Sequence, residues 1–259
     1  MAEPRIRLYT FDAGTVYTRG VRFLAPGGLE QVRDLADPNH CYLIQHPHGL
    51  LMWDAGLPDL ITALPENTLR RGTRFRFVLP NTLHSQLDEA GFSPGQIDFL
   101  ALSHMQIDHA GNAGLFTRAH TLVQEAEFGA AFGPDAAKWG YYPRDFAMLA
   151  GRKHTLLSGD HDVFGDGSVV ILSAPGHTAG HQVLLVRLAS GPIMLSGDLY
   201  YAAADPAAHW MPAWNVDPAE TERTMQRMDD IAASTGARWV INHDPAPDSL
   251  VALAPRWME

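Results

Sequence analysis

Four short apolar runs in this chain each stop on a histidine or an aspartate, and that arrangement restricts the fold more than any other feature. "FLALS" runs into His104, Gln106, Asp108 and His109, "VVILSAPG" into His177, "IMLSG" into Asp198, and "RWVIN" into His243. Each run is rich in branched side chains and reads as a strand. Side chains at the carboxyl ends of neighbouring strands converge on one edge of a sheet, where α/β folds place chemistry. Convergence from four remote segments is hard to produce by accident.

Further strand-like runs are "RIRLYTF", "CYLIQHP", "GLLMWDAG", "HTLVQEA" and "HQVLLVRL". The spacing predicts a helix over Asp217 to Thr235: Asp217 caps it, Pro218 suits its first turn, Met225, Met228 and Ile231 recur at helical spacing, and Gly236 stops it. A second helix is expected in "NTLHSQLDEAG", ending at Gly91. Runs of strands with helices interspersed imply layered sheets flanked by helices. A chain of 259 residues can bury one large core, so a single domain over 1–259 is expected. From about 125 to 160 the strand pattern lapses into a segment dense in aromatics, Gly and Ala, which reads as an insertion covering something or as a plain surface helical hairpin.

Composition narrows the function classes. With 46% hydrophobic and 19% charged residues the chain is far from the signature of disorder. A net charge of -10 with no local Lys/Arg cluster argues against nucleic acid as a partner. The N-terminus carries no apolar stretch of signal-peptide length and no run is long enough to cross a bilayer, so no membrane association and a cytoplasmic location are expected. Cys41 is the only cysteine, which excludes an intrachain disulfide and a thiolate cluster. A metal must therefore use imidazole and carboxylate, donors that suit Zn, Fe or Mn, held as one ion or as two bridged by a carboxylate.

The run His104-Met105-Gln106-Ile107-Asp108-His109, followed by His177 in "APGHTAGH", Asp198 in "LSGD" and His243 in "INHD", resembles the metallo-β-lactamase fold superfamily. Its pattern is His-x-His-x-Asp-His, then a distant His, a bridging Asp and a final His. The resemblance implies an α/β (α+β) fold, a four-layer αββα sandwich of two mixed β-sheets flanked by helices. It further implies a first metal site from His104, Gln106 and His177, a second from Asp108, His109 and His243, Asp198 between them, and Asp54 beside them. Within the superfamily, "LYTFDAG", "CYLIQHPHGLLMWDAG" and "GDLYY" are most similar to the N-acyl-homoserine lactonases and the related pyridoxolactonases. That likeness implies opening of a small lactone by a metal-held hydroxide, with Tyr201 polarising the carbonyl, Asp108 passing a proton to the leaving alkoxide, and a homodimer as the assembly.

Gln106 departs from the pattern. A neutral amide oxygen is a weaker ligand than imidazole, which leaves three readings open: two metals of uneven affinity, one metal, or a fold that has lost hydrolysis. Six of the seven positions keep good ligands, which favours an active hydrolase. Action on another ester, a thioester or a β-lactam stays open, as does a metal-poor binding protein. The other histidines lack partners at ligand spacing; His181, four residues after His177, reads as a structural hydrogen bond before a support for the metal. Asp160, Asp162 and Asp166 fit a hairpin turn better than a calcium loop. Trp139, Tyr141, Tyr142, Trp210, Met211 and Trp214 line a pocket or pack an irregular lid, with both readings open.

Overall fold

A computed structural model describes residues 5–201, 208–244 and 252–259. Among the described residues nine strands join in one sheet and five in a second. The first sheet contains β1 (Arg7–Ala25), β2 (Leu29–His46), β3 (Gly49–Trp53), β4 (Thr68–Arg71), β5 (Phe75–Val78), β6 (Phe99–Ala101), β7 (His120–Gln124) and β8 (His154–Leu157), in the order β4-β5-β1-β2-β3-β6-β7-β8. The second contains β9 (His161–Asp162), β10 (Val169–Ser173), β11 (Gln182–Leu188) and β12 (Gly191–Leu195), while β13 (Met211–Pro212) returns to pair with β1 and β14 (Arg238–Val240) closes the second sheet beside β12. The helices are α1 (Leu83–Glu89), α2 (Ile107–Ala110), α3 (Glu125–Ala131) and α4 (Pro218–Thr235).

Alternation along the strands sends one set of side chains between the sheets and the other outward. Leu8, Tyr42, Ile44, Leu51 and Trp53 of the first sheet meet Val169, Ile171, Leu184, Val186 and Ile193 of the second in one buried cluster. On the outer face of the first sheet, Leu43, Met52 and Leu100 pack against Leu83 and Leu87 of α1. On the outer face of the second, Leu172, Val183 and Met194 pack against Met225, Met228 and Ala232 of α4. Helix, sheet, sheet and helix follow in that order, the four layers expected.

α4 forms as its sequence dictates: the Asp217 side chain accepts from the Glu220 amide, Pro218 occupies the first turn, and Gly236 ends the helix with φ 70°. α1 is capped by Thr82 and followed by Gly91 at φ 84°. Two features differ from the sequence reading. The runs "RIRLYTF" and "CYLIQHP" are the inner ends of strands of 19 and 18 residues, whose outer halves are too polar and too irregular, with register shifts at Asp12/Thr15 and Thr18/Val21, to show period two. Between 125 and 160 the strand pattern is interrupted, not absent, since β8 pairs in parallel with β7. The turn before β10 is the expected hairpin, with Asp162 accepting from the amides of Gly165 and Gly167. No helix among the described residues is long and apolar enough to cross a membrane.

Candidate metal centre

β3, β6 and β7 run parallel, as do β12 and β14, so the segments leaving β6, β10, β12 and β14 meet at one end of the sandwich. There His104, His177 and Asp198 place ligand atoms within 4.8 Å of one another, and Asp108, His109 and His243 form a second such group. The second group has the members expected for the second site, while the first holds Asp198 where the expected set had Gln106; Asp198 Oδ1 lies 3.0 Å from His109 Nε2 and 3.1 Å from His243 Nε2, and its Oδ2 lies 3.6 Å from His177 Nε2. Asp108 and His109 stand on the single turn of α2, not on an open turn, and Asp108 Oδ2 is 3.9 Å from Nε2 of both His109 and His243.

Each histidine is aimed by its other nitrogen. Nδ1 of His109 donates to Asp54 Oδ2 at 2.9 Å, Nδ1 of His177 to Asn215 Oδ1 at 3.0 Å, and Nδ1 of His243 to the Pro38 carbonyl at 2.9 Å. Ser103 Oγ donates to Asp54 and accepts from His104 Nδ1 at 3.1 Å. With Nδ1 holding a proton in every case, Nε2 turns into the centre as the lone-pair atom a cation needs. Asp54 sits at the end of β3 with φ 58°, a conformation costly for a non-glycine residue, and is held there by the Ser103 amide at 2.6 Å.

The donor set fits a cation. Nε2 of His109 and His177 and Oδ1 of Asp198 are buried with no hydrogen-bond partner. Imidazole nitrogens and a carboxylate gathered in a dry site carry a high desolvation cost that a shared positive charge offsets. In the metal-free protein protons take that place. Burial alone would lower the His243 pKa, but the carboxylates of Asp198, Asp37 and Asp108 reverse it to about 9. His109 is likewise held well above its usual value, against burial, by Asp198, Asp54 and Asp108. His104 and His177 go the other way, lowered by burial.

Gln106 occupies the position before α2 without capping it by its side chain; its nitrogen donates to the Trp139 carbonyl at 2.9 Å, which leaves Oε1 3.3 Å from His104 Nε2. The amide thus presents its oxygen inward. The Tyr201 hydroxyl donates to Asp198 Oδ2 at 2.5 Å, and its ring stacks on His243 at 5.5 Å, so in this state it faces a carboxylate and not an open space. Burial and the Asp198 charge hold its pKa well above the usual phenol value. His181 is structural: Nδ1 bonds the Ala174 carbonyl while Nε2 accepts the Asp198 amide at 3.0 Å, and burial lowers its pKa to about 3. A separate group, His46, His48 and Asp166, is no comparable centre, because His46 spends Nδ1 on the His48 amide and Nε2 on Asp166.

Several supports escaped sequence reading. Glu127, fully buried, accepts from the Met105 amide, the Gly180 amide and the Tyr141 hydroxyl, tying the loop of His104 to the loop of His177. Gly180 is required there, since a Cβ would collide with the Glu127 backbone. Asn39 binds the Asp108 carbonyl and Asn242 binds Asn39. The only signal available was the placement of "QEAEF" just after a strand, which marks nothing by itself.

A cavity of about 300 Å³ opens on the centre, reached by Gln106, Asp108, Asp198, Tyr201 and His243. Trp139, Tyr142 and Trp214 line it; Tyr141 and Met211 pack in the interior, so the aromatics serve both ends.

Known proteins are similar to this chain over most of its length. The family described as the metallo-beta-lactamase superfamily matches residues 35–243. A protein of Rhizobium johnstonii named N-acyl homoserine lactonase AttM is 32% identical over 97% of this chain and 98% of its own length. A protein of the same name from Azorhizobium caulinodans is 35% identical over 93% of this chain and 94% of its own. Among solved structures, an N-acyl homoserine lactone hydrolase with N-hexanoyl-L-homoserine bound at its catalytic metal centre superposes with a TM-score of 0.79 at 21% identity, covering 97% of this chain and 98% of that one.

Proposed function

Because the chain belongs to the metallo-β-lactamase superfamily, we propose that it is a metal-dependent hydrolase that opens the ring of an N-acyl-homoserine lactone or a similar small lactone, an activity that would quench quorum signalling. The carrying observation is the set of buried, partnerless Nε2 and Oδ1 atoms around Asp198. His104, Gln106, His177 and Asp198 would hold one ion, and Asp108, His109, His243 and Asp198 a second, with Zn the first candidate and Fe or Mn suited to the same donors. Ions bound there would lower the pKa of a coordinated water towards about 7, which is the chemistry they supply.

The chain's own groups do the rest. Asp54, Ser103, Asn215 and the Pro38 carbonyl engage Nδ1 of each histidine and so aim its Nε2 inward, the atom a bound ion would take. Tyr201, neutral because its pKa is high, transfers its hydroxyl hydrogen bond from Asp198 to the substrate carbonyl as charge develops there. Asp108 lines the cavity, takes up the proton released as water adds to the carbonyl carbon, and delivers it to the alkoxide freed when the ring C–O bond breaks. The names of the full-length relatives favour a lactone over a thioester or β-lactam. The test is metal analysis of purified protein together with a lactone panel. At least one equivalent of Zn, Fe or Mn and metal-dependent ring opening are expected; ring opening by metal-free protein would end this reading.

A further inference from the structure

We propose that the cavity selects a lactone carrying a second, anionic group, and that Arg71, Arg74 and Lys138, which line it, receive that group. This rests on the lactonase reading and names its substrate class.

Arg71 ends β4 and lines the same cavity as Asp108, Asp198 and His243. Its guanidinium is fixed on two sides: Nη2 bonds Asp145 Oδ2 at 2.8 Å, and the plane lies 3.8 Å from the centre of the Tyr142 ring. The remaining donors, Nε and Nη1, are buried and have no acceptor. A guanidinium held rigid with empty donors is costly until an oxygen meets it, and a carboxylate oxygen meets it best. Arg74 spends Nε and Nη2 on the carbonyls of Arg19 and Gly20, which cancel no charge, and stands over Trp214 at 5.2 Å. Lys138 lies over the Trp139 ring at 4.4 Å. Among the described residues neither Arg74 nor Lys138 has an ion-pair partner. Three cations, of which only Arg71 is paired, with Asp145, thus line one cavity of a chain whose net charge is -10. The lining acid that is not a candidate ligand, Asp37, interacts with His243, Asp198 and Asp108. A purely alkyl acyl chain would need the aromatics of this cavity and none of its cations; the volume of about 300 Å³ also lies at the small end for ligand sites, which favours a short substituent.

The test compares N-succinyl-homoserine lactone with its neutral methyl ester, using metal-loaded protein. The acid should be opened with a kcat/KM about tenfold or more above the ester, mainly through KM, since a charge-assisted contact is worth about that much. The preference should shrink as salt rises, and it should shrink in Arg74→Ala and Lys138→Ala. Both sites are exposed, so these variants carry the test if Arg71→Met, which strips Asp145 of its partner, fails to fold. Equal turnover of acid and ester would overturn the proposal, as would an equal loss on both substrates in Arg71→Met, which would assign Arg71 to their shared amide carbonyl. Tryptophan fluorescence titration with the same pair reads binding without turnover. Tighter binding of the acid with no ring opening keeps the anion site and removes the lactonase reading; ring opening with equal binding does the reverse.

Discussion

Glu127→Gln is the substitution whose cost the structure fixes best. The carboxylate has no solvent exposure and accepts the Met105 amide at 2.8 Å, the Tyr141 hydroxyl at 2.9 Å and the Gly180 amide at 3.0 Å. Burial raises its pKa, and those same hydrogen bonds pull it back down, so the site is built around an acceptor at both oxygens. Glutamine keeps one acceptor oxygen and replaces the other by an NH₂. Either the Gly180 amide, or the Met105 amide with the Tyr141 hydroxyl, then faces a donor in a dry site. Each buried group left unpaired costs about 1–3 kcal/mol, so a destabilisation of about 2–4 kcal/mol is expected, a large share of a typical total of about 5–15 kcal/mol. The loss falls on the hinge between the loops of His104 and His177, so metal should be lost first from that trio. Urea unfolding of the metal-free variant gives the stability, and metal content after chelator challenge gives the second readout. A change below about 1 kcal/mol with full metal retention would refute the argument that Glu127 sets the spacing of the two loops.

Three other outcomes follow from the same geometry. Tyr201→Phe should lower kcat by about 10²-fold with a small change in KM, the usual cost of one oxyanion donor; an equal rise in KM would reassign the hydroxyl to ground-state binding. Asp54→Asn should weaken metal binding about 10–100-fold by freeing His109, as losing a support of a metal ligand generally does, and competition with a chromogenic chelator reads it. His243 is held at about 9 in the metal-free fold against an ordinary 6.5, so its pairing stabilises that fold below about pH 6.5, and the contribution fades as pH rises through 9. Metal loading at pH 7 must therefore expel at least one proton. Calorimetry in buffers of different ionisation enthalpy measures it, and a proton count of zero would show that His243 is not displaced by the ion.

What was legible in the chain was whatever repeats with a period or sits at an element's end. Layered sheets flanked by helices were legible from branched runs closed by Gly, Pro, Asp or His, and α4 from Asp217, Pro218 and Gly236, because caps and periodicity are local and survive in the sequence; the αββα order itself came from the family resemblance. The seven candidate ligand positions stood out because they follow strand-like runs in the order the family resemblance implies. The supports were not. Asn215 reaches His177 across 38 positions, Asn39 reaches Asp108 across 69, and Pro38 meets His243 across 205; nothing local distinguishes such residues from surface polars. The long β1–β2 hairpin was hidden for a different reason, since its outer halves carry exposed polar side chains and register shifts that erase alternation.

Gln106 joins the two kinds of information. As a sequence feature it is a weakened ligand, yet the fold treats it as an oriented one: Trp139 takes the amide nitrogen, so the oxygen alone can face His104. An amide left over from an abandoned site would have no reason to be held by a backbone carbonyl from the aromatic segment, 33 residues away. The orientation also predicts asymmetry, because Oε1 is neutral while the other trio keeps Asp108 as a charged ligand. One ion should leave before the other under chelator, and Gln106→His should bring the two retention times together by restoring imidazole to the weaker trio. Two ions that leave together in the native protein, or retention unmoved by the substitution, would show that the Gln106 oxygen serves the Trp139 loop and not a metal.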